Sequence, residues 1–180
     1  MAIEFAIQAS RPRSILVREP TDETLSDAIQ TVFPLLTEWA ILVWNGIFVP
    51  LGYKYDVSLL VPDLLVLLDD MCEHFSGSQV IEWPTNTFAS RWSIHWDAGH
   101  VKVDADWRSV IGCTEPLLTS RNTIELPKDA FVAEWKELLM VVHTALVQAG
   151  YDAATIQGLE SLIATIERIG GTGMLYKEST

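Results

Sequence analysis

Apolar and polar residues alternate along residues 91–98 and again along 100–107, in the run RWSIHWDAGHVKVDADW. Two strands joined near Ala98 and Gly99, with Trp96 opposite Val101, would put Trp92, Ile94 and Trp96 on one face with Ala105, Val103 and Val101. Arg91, Ser93, His95 and Asp97 would share the other face with Asp106, Asp104, Lys102 and His100. A slip of one residue would set the tryptophans among His100, Lys102 and Asp104, so the pattern specifies the register. Gly99 is expected to supply the positive φ of the turn, with Ala98 a disfavoured companion. A face this rich in tryptophan needs a cover, and the rest of the chain reads as that cover.

Taken in order, residues 3–9 and 14–18 are short β-rich runs, either one interrupted strand or two. Pro20 to Glu23 then announces a helix with Thr21 as its N-cap. Its stripe is Leu25, Ala28, Ile29, Val32, Leu35, Leu36 and Trp39, and Pro34 should kink or split it near residues 30–33. Residues 45–55, NGIFVPLGYKY, are punctuated too often for a regular element and read as a buried, aromatic-rich connection. A second helix is expected from Pro62, burying Leu64, Leu68, Met71 and Phe75 with Leu65 and Cys72 beside them. Gly77 ends it, and a loop through Pro84 leads to the hairpin.

After the hairpin come a short apolar piece at 110–113, a turn at Glu115-Pro116 and a strand at 123–126 stopped by Pro127. Asp129 is placed to cap a long helix whose stripe runs Phe131, Trp135, Leu138, Leu139, Val142, Leu146, Ala149, with Gly150 as its C-cap glycine. Asp152 is placed to cap a last helix through Ile156, Leu159, Leu162, Ile163, Ile166 and Ile169, closed by Gly170-Gly171. Strands and helices therefore come in blocks. The fold class is α+β: an antiparallel sheet with a tryptophan-rich hairpin, covered by helices that include a C-terminal antiparallel pair, in one domain spanning residues 1–180.

Charge sharpens this picture. The chain carries a net charge of −12 at 20% charged and 49% hydrophobic residues. Residues 19–82 hold eleven acids and one lysine, which accounts for −10 of it. Such a chain is unsuited to a nucleic-acid backbone and suits basic partners or plain solubility. The longest uncharged run, residues 39–53, is broken by Asn45, Gly46, Pro50 and Gly52 and is too short to span a bilayer. Glu4 interrupts the N-terminal apolar run, which has no basic residue before it, so it is no secretory signal and a cytoplasmic protein is expected. Cys72 and Cys113 lack metal-ligand spacing and read as buried, inert thiols.

The candidate chemistry is sparse. His95, Asp97 and His100, with Asp104 and Asp106 further along, could suggest a metal site. Yet they alternate as a solvated strand face does, each opposite a compensating partner, and Lys102 would repel a cation. Asp69 and Glu73, like Asp70 and His74, stand four apart on a helix, where like charges invite a cationic partner. His143 reads as a partly buried structural histidine. Gly170-Gly171-Thr172-Gly173 follows a helix and no Lys-Ser/Thr pair comes after it, so it is no phosphate loop. No GxSxG or HExxH motif occurs, and no catalytic residue, metal or cofactor is assigned. Trp39, Trp92, Trp96 and Trp135 fall on buried faces, whereas Trp44 and Trp83 lie in irregular stretches as candidate surface anchors.

The hairpin RWSIHWDAGHVKVDADW, followed by TIELPKDAFVAEWKELLMVVHTALVQAGY with its Phe131-Val132-Ala133-Glu134-Trp135 turn, resembles small bacterial immunity proteins of polymorphic and contact-dependent toxin systems. The resemblance spans residues 90–151. It implies a cytoplasmic, non-enzymatic protein that binds and blocks one cognate toxin, and it assigns no residue a role. An acidic inhibitor suits a basic toxin, because complementary fields speed docking. The expected contact residues are Asp63, Asp69, Asp70 and Glu73 on the second helix, with Asp97, Asp104 and Asp106 on the hairpin. Two rival readings stand beside this one. The first is a small enzyme or ligand-binding protein with a pocket near residues 45–55 bordered by His74 or His143; the second is a homodimeric structural or adaptor protein.

Overall fold

The computed structural model describes residues 4–172, with side chains through residue 170. Seven strands form two antiparallel sheets. β1 (Phe5–Gln8), β2 (Ala40–Trp44) and β3 (Ile47–Leu51) make a three-stranded sheet in that order. β4 (Gly77–Pro84), β5 (Phe88–Trp96), β6 (His100–Val110) and β7 (Thr123–Pro127) make a four-stranded meander. The helices are α1 (Leu25–Val32), α2 (Ser58–Glu73), α3 (Glu115–Thr119), α4 (Lys128–Glu134), α5 (Lys136–Gln148) and α6 (Leu159–Thr172). A π-helical turn at Tyr53–Val57 feeds α2. No helix among the described residues is long and apolar enough to cross a membrane.

The β5–β6 register is the expected one: Trp96 pairs with Val101, Ile94 with Val103, Trp92 with Ala105 and Arg91 with Asp106. Its turn works differently. Gly99 stays outside the left-handed region, and the Asp97 carboxylate accepts the Gly99 and His100 amides, each at 2.9 Å.

Residues 45–55 are not an irregular connection. Asn45 (φ 48°) and Gly46 (φ 78°) form the tip of a tight β2–β3 hairpin, because both can adopt the positive φ that a two-residue turn demands. Pro50 is tolerated because β3 is an edge strand. Residues 77–84, expected as a loop, form edge strand β4. Its first residue is glycine because the Trp96 ring lies on it: a Cβ there would sit 2.3 Å from that ring.

The helix boundaries also shift. Thr24 rather than Thr21 caps α1, in a capping box with Asp27. The helix stops at Val32 before Pro34, so Leu35 and Leu36 are exposed and Trp39 is only half-buried. α2 starts at Ser58, so Pro62 lies inside the helix rather than at its first position, and the Ser58 carbonyl that a proline cannot serve accepts the Ser26 hydroxyl at 2.6 Å. Phe75 lies beyond its end and is exposed, and so are Cys72 and Cys113, contrary to the buried thiols expected. The helix expected from Asp129 starts instead at Lys128 with no side-chain cap, and it tightens at Trp135, where α4 gives way to α5. Gly150 (φ +88°) closes α5 as expected, with the Tyr151 amide donating to the Leu146 carbonyl. Asp152 caps only a short turn; the last helix begins at Leu159, so residues 149–158 replace a tight connection. Of the N-terminal run, Ile3 lies outside the described residues, as does Gly173 of the glycine cluster.

The two sheets meet through aromatic rings. Trp92 is the hub, with ring centroids of Trp44 at 5.1 Å, Trp83 at 5.8 Å, Trp107 at 6.2 Å, and Phe5, Phe88 and Trp135 each at 6.5 Å. Trp44 and Trp83 are thus core residues, not surface anchors. Mostly edge-on contacts of this kind add to the area the rings bury. Helices α4 and α5 bring Phe131 and Trp135 onto Phe5, and α6 packs on α5 and α2. Polar ties join the layers. The Trp44 indole and the Asn45 amide both donate to the Arg121 carbonyl, Glu4 accepts the outward amide of Glu125 in β7, and Glu134 accepts the Ile7 amide of β1. Two strand edges that could recruit foreign strands are thereby partly closed.

Candidate interaction surface

Helix α2 buries Leu60, Val61, Leu64, Leu65, Leu67, Leu68 and Met71. One outward face carries Leu59, Asp63, Val66, Asp70 and Glu73, spaced four, three, four and three residues apart. Two apolar side chains alternate there with three carboxylates. Val66 is 55% exposed. Beside this face a groove of about 440 Å³ runs between α2 and the starts of α1 and α6, lined by Leu25, Pro62, Leu65, Val66, Asp69 and Gln157 among others. The groove exists because residues 24 and 157 form a parallel bridge that pins α6 to the N-terminus of α1. Leu59 and Val66 were absent from the expected contact set. Their spacing with Asp63 and Asp70 was the available signal.

The expected acids divide sharply. Asp69 accepts hydrogen bonds from Thr165 at 3.0 Å and from Arg168 at 2.9 Å, and Glu73 stands 3.4 Å from the same guanidinium. These two hold α6 against α2, which relieves the like-charge spacing within the protein itself. Asp70 and His74 are 4.0 Å apart at the helix end, both exposed. Lys128 donates to the Met71 carbonyl there, a cation on the negative end of the helix dipole. Asp63 is exposed and makes no ion pair among the described residues.

On the hairpin, Asp97 is spent on the turn, and its carboxyl sits below the usual carboxylate range because the Gly99 and His100 amides bond it. Asp104 is lowered chiefly by the Thr123 hydroxyl at 2.6 Å, with Lys102 assisting at 3.3 Å. Asp106 binds Arg108 at 3.1 Å. The end of α2 does meet the hairpin tip: the Trp96 indole donates to the His74 carbonyl, and the Lys128 amide to that of Gly99. Asp97 thus lies near the α2 end, while Asp106 is about 20 Å further along β6.

The acidic block is not one patch. Glu38 pairs with Arg13, Glu82 with Arg91 and Arg108, Asp22 accepts the Tyr151 hydroxyl, and Asp56 is buried. Among the described residues no group of three His, Cys, Asp or Glu side chains is arranged to hold a metal. His143 is half-buried on α5, and neither it nor His74 borders the pocket beside residues 52–56. No family model matches the chain, and no curated protein or solved structure does either.

Proposed function

We propose that this chain is a non-enzymatic binding protein of the immunity type, which occludes a basic protein partner, in the simplest case a toxin domain. The observation that carries the reading is the outward face of α2. Leu59 and Val66 alternate with Asp63 and Asp70 along it, next to an apolar groove able to take a partner side chain. An apolar centre with a charged rim is the anatomy of a protein–protein contact, and the net charge of −12 would steer a basic partner toward it. Asp63 and Asp70 are the carboxylates available for this; Asp69 and Glu73 contribute through the node with Arg168, and Asp97 from the adjacent hairpin tip. Asp104 and Asp106 stand further off.

The test is retention of the partner from the source cell, washed at low and then high salt. Val66→Arg should abolish retention with the melting temperature unchanged, and Asp63→Lys should flatten its salt dependence. Full retention by both variants would remove the site from α2; a column that holds no basic protein would remove the function. A second reading, self-association, is favoured by the outward residues of the three-stranded sheet, where Phe48 is 63% exposed. A tight dimer in sedimentation that Phe48→Ser dissolves would establish it.

A further inference from the structure

Asp56 is only 2% exposed, yet none of the ion pairs among the described residues includes it. Three neutral donors hold its carboxylate. The Gly52 amide reaches Oδ2 at 2.7 Å, and the hydroxyls of Thr85 and Thr87 reach Oδ1 at 2.5 and 2.6 Å. These contacts stitch the exit of β3 to the β4–β5 turn, and all three donors are neutral. A buried charge left without a counter-charge is costly.

A pocket of about 90 Å³ opens at this place, lined by Gly52, Asp56 and Thr87 together with Leu35, Trp39, Tyr53 and Tyr55. Gly52 and Thr87 both bond the carboxylate and both line the pocket, so the charge lies at its wall. Tyr53 is fixed by packing on Phe33, with ring centroids 4.8 Å apart. The one cation among the lining residues is Lys54, whose ammonium donates to the Gln30 carbonyl in the last turn of α1 and lies 5.9 Å over the Tyr55 ring, forming no ion pair with Asp56. Space for about three waters, aromatic walls and a buried carboxylate without a counter-ion are together the recognition chemistry of an organic ammonium.

We propose that this pocket binds an alkylammonium group, with Asp56 as counter-ion and Trp39 as its π wall. The site is separate from the face of α2 and does not rest on the reading above. The same head group could come from a free amine or from a lysine side chain.

The test is a titration of the ¹⁵N-labelled protein with methylammonium chloride against matched KCl, following the Gly52 and Thr87 amides and the Trp39 indole. Saturable shifts confined to these groups, and absent with KCl, are the expected result. Asp56→Asn should weaken binding about ten- to hundredfold, the weight of a charge-assisted contact. Should Asp56→Asn fail to fold, Trp39→Leu decides, since Trp39 is half-buried and its loss should weaken binding while the protein stays folded. Two further probes separate the sources. Butylamine binding without N-acetyl-lysine methylamide indicates a free amine, and binding of both indicates a lysine side chain. Shifts that are absent, that KCl reproduces, or that survive unchanged in the folded variants would overturn the proposal.

Discussion

On the outward side of the four-stranded sheet, Glu82, Arg91, Asp106 and Arg108 interlock across β4, β5 and β6, with Arg91 and Arg108 both within 3.7 Å of Glu82. On the outward side of the three-stranded sheet the corresponding positions are Ala6, Ile41, Val43, Phe48 and Pro50, with only Gln8 polar. The inward sides are alike, each contributing large rings to one cluster around Trp92. A sheet with one side in water alternates apolar and polar residues, as β5 and β6 do, whereas β2 and β3 are apolar on both sides and show no such alternation. The comparison teaches that the charged ladder adds little to stability and much to keeping its face free of partners.

Four experiments would break or sharpen this contrast. Trp92→Ala strikes what the sheets share and should cost about 3–5 kcal/mol in urea unfolding, with both sheets lost in one transition. Survival of the three-stranded sheet alone would show two cores instead of one. The hairpin tips should differ next. Gly46→Ala forces a side chain into φ +78° and should cost about 1–2 kcal/mol, while Gly99→Ala, in open space outside that region, should stay within about 0.5 kcal/mol. Equal costs would mean that the two turns share a geometry after all.

Breaking the ladder by Arg91→Ala should lower stability by less than about 1 kcal/mol, with the loss disappearing at high salt. The smallest effect concerns pH. The Asp104 carboxyl is lowered first by the Thr123 hydroxyl, so the folded protein takes up this proton less readily than the unfolded chain. Its contribution is therefore present above the unfolded carboxylate value of about 4 and is lost as pH falls through the lower folded value. Thr123→Val should accordingly narrow the difference between urea midpoints at pH 7 and pH 3. An unchanged difference would detach Asp104 from the acid response.

The parts of the fold legible along the chain were those in which one face is apolar and the other charged. The β5–β6 register is the plainest case, since a slip would have buried Lys102 and Asp104. The three-stranded sheet was harder to see because ILVW and IFVPL are apolar on both faces and carry no period-two signal; only Asn45-Gly46 marked the hairpin. Of the candidate surface, Asp63 and Asp70 were legible as outward carboxylates. Arg168 is ninety-nine residues from Asp69, and nothing local indicates that it would hold that acid. Asp56 looked like one more acid in an acidic block.

Local pattern alone was thus enough to specify the α+β class, the tryptophan face and its register, because side-chain alternation and turn chemistry act between near neighbours. Packing decided the rest: that Trp44 and Trp83 are inside, that Leu36 and Cys72 are outside, and which carboxylates are spent and which remain. A charge becomes available to a partner only when nothing distant in the chain has already claimed it. That is settled when the helices and sheets meet.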